Sequence, residues 1–258
     1  MPRCTWLDAN SWLWEWGSLR ILVDPWLVGD LLFADLPWLF RGSREREVPI
    51  PTDLSAILLS QGLPDHAHLP TLRRLVERDP QQFLIASPAG AKVARQIGFT
   101  QVIALAPGQT FTLDSLVIAA LPGAPIGPIQ RENAYILRHP QGSLYYEPHG
   151  FPSPELQQQE AVDVVISPIQ DMTLPVLGAI IQGQASILPL AHHLKPHLIL
   201  PTAMAAEVRY QGVLAQWLRF SGSAEQLRQD LAQAQLSTQV GDPRVGEPIE
   251  FGSPVAAS

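Results

Sequence analysis

The nine residues at 60–68 constrain this chain more than any other stretch. They read Ser-Gln-Gly-Leu-Pro-Asp-His-Ala-His and follow the short apolar run 56–59, which is typical of a buried strand. They precede residues 70–78, where a proline in the first turn and leucines on one face predict a helix. Asp65 and His66 are therefore expected in a loop at the end of a strand, where rigid scaffolds often position functional side chains.

Short apolar runs separated by Pro, Gly and Asp predict many short strands, with helices between and after them. Trp12, Trp14 and Trp16 alternate along one strand, so we expect them to share a face and pack in the core. The predicted strands cover residues 4–7, 11–16, 20–23, 56–59, 83–87, 102–105, 110–113, 116–121, 133–138, 143–147, 162–166 and 198–200. The predicted helices cover residues 70–78, 88–97, 186–194, 213–220 and 223–236.

The stretch at 60–68 resembles the metal-binding motif of the metallo-β-lactamase superfamily, in which a strand ends in Thr-His-x-His-x-Asp-His. Asp65 and His66 match the last two ligands of that motif, and Ser60 takes the place of its threonine. Gln61 and Leu63 stand where the motif has its first two histidines. Leucine cannot bind a metal and glutamine is a poor zinc ligand, so half of this ligand set is missing.

Other segments are similar to the same family in layout but again depart from its ligands. Residues 23–26, Val-Asp-Pro-Trp, match a hairpin that ends in Ile-Asp-Pro and an aromatic residue, although Asp-Ala-Asn at 8–10 replaces the usual Gly-His. Glu147 and His149 follow a strand that in the family ends in Gly-Asp-Thr-Gly. Ala203 stands in the place of the last histidine, and residues 121–125 offer no counterpart of the middle one.

A cyanobacterial and chloroplast branch of this superfamily has similar departures, with Gln-Gly-Leu-x-Asp-His-x-His and Tyr-Tyr-Glu-Pro-His. The present chain resembles that branch at residues 60–68 and 145–149. The resemblance implies that the departures are a shared design, and it supplies no reaction.

The resemblance implies an α/β fold, namely a four-layer αββα sandwich with two facing sheets and helices outside. A length of 258 residues fits one such domain spanning residues 1–258. The implied function is that of a metal-dependent hydrolase acting on an ester, amide or phosphoester, with a depleted site that holds at most one metal ion. Zinc or another divalent ion is the expected cofactor, with no bound metal as the other outcome.

The predicted metal ligands are Asp65, His66 and His149, and Asp65 and His66 are also the predicted catalytic residues. Because both segments follow strands that the family layout brings to one edge, we expect the three side chains to converge. Additional contributions are expected from three nearby residues: Gln61, His68 and Glu147.

Two alternatives remain open from the sequence. In the first, the chain is a non-catalytic member that uses the fold for binding or assembly, since fold alone does not determine function. In the second, Asp65 and His66 form a metal-free acid–base pair, although no Gly-x-Ser-x-Gly nucleophile motif is present. The structural interpretation is that Asp65 caps the following helix and that His66 and His68 bond to backbone carbonyls.

The loop from Trp26 to Phe40 is rich in Trp, Leu and Phe but shows neither a helical nor a strand period. So much apolar surface must pack against something, so we expect it to cover the mouth of the site or to contact a protein partner. A small-molecule substrate or a protein is therefore the expected partner.

Composition excludes several other classes. A formal net charge of −7 without a Lys/Arg cluster argues against nucleic acid as a partner. The single cysteine, Cys4, rules out an internal disulfide and suits a reducing compartment, so a cytoplasmic location is expected. No apolar run reaches membrane-spanning length.

Overall fold

Two large β-sheets face each other at the centre of the structure, a computed structural model that describes residues 1–126, 130–175 and 178–252. Each has seven strands, counted over those residues. In the first sheet the strands lie in the order β20 (Pro248–Glu250), β1 (Arg3–Trp6), β2 (Trp12–Trp16), β3 (Leu19–Val23), β6 (Ala56–Leu59), β7 (Leu84–Ala86) and β8 (Val102–Ala104). From β3 to β8 the neighbours run parallel, so their carboxyl ends lie at one edge.

The second sheet combines an antiparallel half with a parallel half. Its strands lie in the order β19 (Gln239–Val240), β16 (Leu198–Pro201), β13 (Val164–Ser167), β12 (Gly142–Tyr146), β11 (Gln130–His139), β10 (Leu116–Ile126) and β9 (Thr110–Leu113). β12, β13, β16 and β19 are parallel, so their carboxyl ends also share an edge. Between Pro122 and Pro125 the register of β10 against β11 shifts, which marks a bulge.

Helices cover the outer faces of both sheets. α1 (Leu69–Arg78) and α2 (Pro88–Ile97) bury Leu72, Leu75 and Ala91 against the first sheet. α3 (Gly183–Leu194) and α5 (Ala224–Gln233) bury leucines against the second. A short α4 (Val213–Trp217) and a 3₁₀ helix (Pro154–Gln158) complete the set in the described part of the chain. This is the four-layer αββα sandwich that the sequence predicts.

Local signals explain where the longer helices begin and end. Ser87 accepts a hydrogen bond from the Gly90 amide and Pro88 occupies the first turn, so α2 starts there. Gly98 follows α2 in the left-handed region at φ 111°, a conformation that glycine adopts without a Cβ penalty. The Ser223 hydroxyl likewise accepts from the Gln226 amide and caps α5. None of the helices in the described residues is long and apolar enough to cross a membrane.

The core between the sheets is built largely from the aromatic side chains of the first hairpin and the facing sheet. Trp12, Trp14 and Trp16 are all buried there, which confirms that they share one face of β2. The Trp14 ring meets the Tyr146 ring edge-on with centroids 5.2 Å apart, an arrangement that aromatic quadrupoles favour. This contact packs β2 of the first sheet against the carboxyl end of β12 in the second sheet.

Two sequence predictions are wrong in this region of the molecule. The helix predicted at 213–220 ends at Trp217, and the chain continues as β18 (Arg219–Ser221). The segment after Trp26, predicted to be irregular, contains β4 (Leu31–Leu32) and β5 (Arg41–Arg44). β4 and β5 form one small three-stranded sheet with β17 (Val208–Gln211). β18 forms another with β14 (Asp171–Leu174) and β15 (Gly178–Gln182). Such long-range pairing overrides the local sequence pattern.

Candidate metal centre

The candidate site lies where the carboxyl ends of both parallel half-sheets meet. Asp24 follows β3 and Ser60 follows β6, while Glu147 follows β12 and Thr202 follows β16. The two edges are joined directly, because the Trp12 indole donates to the Thr202 hydroxyl at 2.9 Å. Strand ends from both sheets therefore present their polar residues to one space.

Asp65, His66 and His149 converge in that space. Each offers one potential ligand atom, and these atoms all lie within 4.8 Å of one another. His66 Nε2 is 3.2 Å from an Asp65 carboxylate oxygen, and the two imidazole rings are 5.0 Å apart between centroids. The structure thus brings together the three residues that the sequence predicts as ligands, from segments more than eighty positions apart in the chain.

Asp24 fixes the orientation of His66 from behind. One Asp24 oxygen lies 2.7 Å from His66 Nδ1 and also accepts from the Ser60 hydroxyl at 2.6 Å and the Tyr146 hydroxyl at 2.7 Å. The other oxygen accepts from the Ser60 amide at 2.7 Å. Since Nδ1 is held by a carboxylate, the Nε2 atom is the one left to face Asp65.

Glu132 plays the same part for His149. Its Oε2 atom lies 2.7 Å from His149 Nδ1 and accepts from the Gln61 amide group at 3.1 Å. Its Oε1 atom accepts from the Ala124 amide at 3.1 Å, within the bulge of β10. A carboxylate that holds one imidazole nitrogen and leaves the other free is the common arrangement behind metal-binding histidines.

These residues, which we call the polar floor, are Asp24, Ser60, Asp65, His66, Glu132, Tyr146 and His149. All are buried except Asp65, whose side chain is 26% exposed. The exposure of Asp65 gives the floor its opening toward solvent.

The charges of the floor shift its pKa values in a consistent pattern. Burial alone would lower the pKa of His66, but the Asp65 and Asp24 carboxylates raise it well above its usual value. Burial would raise the pKa of Asp65, but the charges of His66 and His149 lower it overall. Burial likewise opposes ionisation of Glu132, whose pKa is nevertheless lowered by the neighbouring His149. Asp65 and Glu132 therefore stay ionised at neutral pH, as a metal ligand and its support require.

The structure places the three additional candidates around the group rather than in it. Gln61 is buried and bonds to Glu132, so it supports His149 indirectly. Glu147 lies beside Glu132, and its carboxylate accepts from the backbone amides of His149, Gly150 and Phe151 in its own loop. Burial and the nearby Glu132 charge raise the pKa of Glu147.

His68 has a structural role at the base of the Trp26 segment. Its Nδ1 atom lies 3.1 Å from the Thr71 hydroxyl, and its Nε2 atom lies 3.0 Å from the Asp30 carbonyl. Both ring nitrogens are thus engaged outside the three-residue group. Asp65 does not cap α1, whose N-cap is His68 without a side-chain hydrogen bond.

A large cavity opens directly above Asp65 and His149. Its volume is about 790 Å³, within the range of roughly 300–1,000 Å³ that small-molecule sites occupy. Leu63 and Ala203, which replace two family ligands, line this cavity, as do Trp26 and Phe40 of the predicted covering loop. The space above the floor is therefore largely apolar.

Sequence reasoning missed the supporting roles of Asp24 and Glu132. Asp24 was part of a recognised hairpin motif, but its φ of 41° and its contact with His66 depend on the packing of β3 against β6. Glu132 lies in β11, where it and Asn133 immediately precede the buried run 134–137, so a charged residue next to that buried run was the available signal.

The donor set fits a divalent ion. Asp65 Oδ1 and Gln61 Oε1 are buried and have no hydrogen-bond donor among the described residues, which is costly unless a cation or another ligand meets them. Two imidazoles with carboxylate support and one carboxylate form the three-ligand set typical of a catalytic zinc site. Asn10 Nδ2 lies 3.4 Å from His66 Nε2, a contact that an ion bound to this nitrogen would replace.

Comparisons with known proteins agree with this geometry at the level of the fold. The chain is similar to the structure of a possible metal-dependent hydrolase from Veillonella parvula, with 14% identity and a TM-score of 0.73 over 96% of this chain and 99% of that one. It is also similar to an isothiocyanate hydrolase from Delia radicum gut bacteria, with 16% identity and a TM-score of 0.73 over 97% and 100% of the two chains. A metallo hydrolase from Ignicoccus hospitalis has 16% identity and a TM-score of 0.68 over 96% and 97%.

No curated protein sequence matches the chain. A family model described as the β-lactamase superfamily domain matches residues 3–203, which is well over half of the 258 residues. With the αββα sandwich and the strand-end site, that match shows that the chain belongs to the metallo-β-lactamase superfamily.

Proposed function

We propose that this protein is a metal-dependent hydrolase with a reduced site that holds one divalent ion, zinc being the expected one. Asp65, His66 and His149 would hold the ion, and the substrate would be an ester, amide or phosphoester. The observation that carries the proposal is the paired support of the two imidazoles. Asp24 and Glu132 each lie 2.7 Å from the Nδ1 atom of one histidine, so both Nε2 atoms are prepared as ligands.

When bound, a divalent ion supplies Lewis acidity, which makes water a stronger nucleophile near neutral pH and polarises the carbonyl or phosphoryl oxygen of a substrate. The chain itself supplies orientation and charge. Asp24 and Glu132 hold the Nδ1 atom of each imidazole and so fix the orientation of the ring, while Asp65 presents an ionised carboxylate at the cavity side of the floor. We assign Asp65 Oδ1 to accept the proton of the attacking water, because it is the floor oxygen without a donor among the described residues.

The alternative is a binding or assembly protein that does not catalyse a reaction. The observation that favours it is the loss of family ligands at Gln61, Leu63 and Ala203, which leaves no second set of donors around the same space in the described residues. The alternative predicts ligand binding without turnover.

A hydrolysis assay with metal control separates these functions. Protein stripped with a chelator is assayed with added zinc or manganese on carboxylic esters, an anilide and a phosphate ester. We expect hydrolysis that the chelator abolishes and the metal restores, and that His149→Ala removes. His192→Ala is the matched control, because His192 is an exposed histidine on α3 and should keep full activity.

Each other result has a defined meaning. Hydrolysis that survives chelation but is lost in Asp65→Asn would establish the metal-free acid–base pair and overturn the proposal. Absence of hydrolysis on every substrate class with every metal tested would favour the binding protein.

A further inference from the structure

The cavity above the polar floor has an apolar wall, which we define as the side chains of Trp26, Leu31, Phe40, Met172, Leu214 and Leu218. These come from segments outside the two large sheets: the chain after β3, β4, β14 and the region of α4. The same cavity is bounded on its inner side by Asp65 and His149. Any molecule that reaches the proposed site must therefore lie against this wall.

The wall is closely packed. An added Cβ at Gly42 would lie 2.7 Å from the Trp26 ring and 3.3 Å from Tyr210, so only glycine lets these rings pack against β5. The Arg44 guanidinium stacks on the Trp26 ring, 4.6 Å from its centre, and this contact also restrains the ring. Trp26 also donates its indole hydrogen to the Gly29 carbonyl at 3.0 Å. The wall is therefore a preformed surface.

Apart from the floor histidines and the ion proposed to bind there, the cavity offers nothing that would attract an anion. No lysine or arginine lines it within the described residues, whereas Asp65 and Asp242 do. Arg44 is nearby but its side chain is only 2% exposed and is paired with Asp8 at 3.5 Å. Even with a divalent ion at the floor, the three floor carboxylates would outnumber its two charges, so an anionic substrate group would lose its hydration without meeting a net positive charge.

We infer that the substrate is a neutral ester or amide with a large apolar group, and that this group occupies the cavity while the scissile bond faces Asp65 and His149. This inference rests on the proposed function and narrows it, since it excludes phosphoesters and other anionic substrates. Phe220, which is 57% exposed and lines the cavity, marks the side on which the apolar group enters.

Binding to metal-free protein tests the ligand class without requiring turnover. The neutral dye N-phenyl-1-naphthylamine is bound in the presence of chelator and displaced by 1-alkanols of increasing length. Burial of each added methylene should strengthen binding about 3- to 4-fold until the cavity is filled. Decanoate should bind at least about tenfold more weakly than 1-decanol, because its charge must be desolvated beside carboxylates.

Two neighbouring residues of α4 provide a matched pair of variants. Leu214 lines the cavity, whereas Val213 is 48% exposed and does not. Leu214→Asp should weaken alkanol binding at least about tenfold, and Val213→Asp should leave it unchanged. Phe220→Asp, at a side chain that is 57% exposed, should also weaken binding, and it keeps the test valid if Leu214→Asp does not fold.

The outcomes separate the inference from the proposed function. Alkanol binding with this chain-length dependence, but no hydrolysis with any metal, would support the apolar ligand class and overturn the hydrolase. Metal-dependent hydrolysis that prefers phosphate esters, or that ignores acyl-chain length from acetate to decanoate esters, would support the hydrolase and overturn the inference. Equal binding of decanoate and 1-decanol would also overturn it.

Discussion

The polar floor and the apolar wall face the same cavity but are held together by different forces. The floor consists of side chains at the ends of core strands, and Asp24 alone receives four hydrogen-bonding contacts. The wall is held mainly by ring packing, such as Phe40 against Phe33 at 5.4 Å and against Tyr210 at 5.5 Å. Directional bonds fix where a metal and a proton can be, whereas packing fixes only which shape and polarity fit. Chemistry should therefore fail in floor variants, and ligand selection should change in wall variants.

Asp24→Ala should produce the largest effect on stability. It leaves His66, Ser60 and Tyr146 without their buried partner, so we expect a loss of about 3–5 kcal/mol in the free energy of unfolding. Urea unfolding of metal-free protein measures it. Asp53→Ala is the control, because Asp53 shares a positive φ (55°, against 41° for Asp24) but is exposed. A similar loss in both variants would mean that backbone strain, not the floor bonds, is responsible.

Glu132→Gln should separate metal binding from folding. The amide keeps the shape of the carboxylate but supports His149 less well, so we expect affinity for zinc to fall about 10- to 100-fold. A competitive zinc titration measures this, and Glu160→Gln serves as an exposed control. Unchanged zinc affinity in Glu132→Gln would show that His149 binds the ion without help from the Glu132 carboxylate. The Glu132–His149 pair would then not be equivalent to the Asp24–His66 pair.

The sequence predicts those parts of the floor and the wall that local patterns determine, and it misses those that depend on contacts between distant strands. Asp65, His66 and His149 were predictable, because local apolar runs define the strands that they follow and the family resemblance places those strands at one edge. Glu132 was not, since its approach to His149 depends on the bulge of β10 and on pairing between distant strands. The wall was predicted only as an apolar loop, because β4, β5 and β17 are too short for a periodic pattern and exist through long-range pairing.

His68 packs against Trp26 of the wall, with ring centroids 5.9 Å apart, and should make the stability of the protein sensitive to acid. Burial lowers the pKa of His68 to about 4, from an ordinary value of 6.5. Below about pH 6.5 the unfolded chain binds a proton at this residue that the folded protein does not bind until the pH approaches 4. The contribution of His68 to the free energy of unfolding is therefore fully present above about pH 6.5 and declines as the pH falls toward 4. We expect a loss of about 2 kcal/mol between pH 7 and 5 from this residue.

His68→Gln tests that origin, because glutamine does not titrate and can still reach the Thr71 hydroxyl or the Asp30 carbonyl. Its urea unfolding in the presence of chelator should depend less steeply on pH between 7 and 5 than that of the parent. The same slope in both proteins would place the acid sensitivity elsewhere.

Trp38→Ser should have the smallest effect on folding. Trp38 is 63% exposed, so we expect a change within about 0.5 kcal/mol, whereas Phe40→Ser removes ring contacts in the wall and should cost more. The double variant should alter dye binding or oligomeric state more than it alters stability. Unfolding of the Trp38 variant alone would show that this segment is ordinary core and not a cover or a partner surface.

Metal content per chain tests the central claim most directly. Protein purified without chelator is analysed for its elements, in parallel with His66→Ala and the control His192→Ala. The account predicts one equivalent of a divalent metal in the parent and the control, and none in His66→Ala. Two equivalents in the parent would contradict the reduced site, and the absence of metal after incubation with excess zinc would contradict a metal centre altogether.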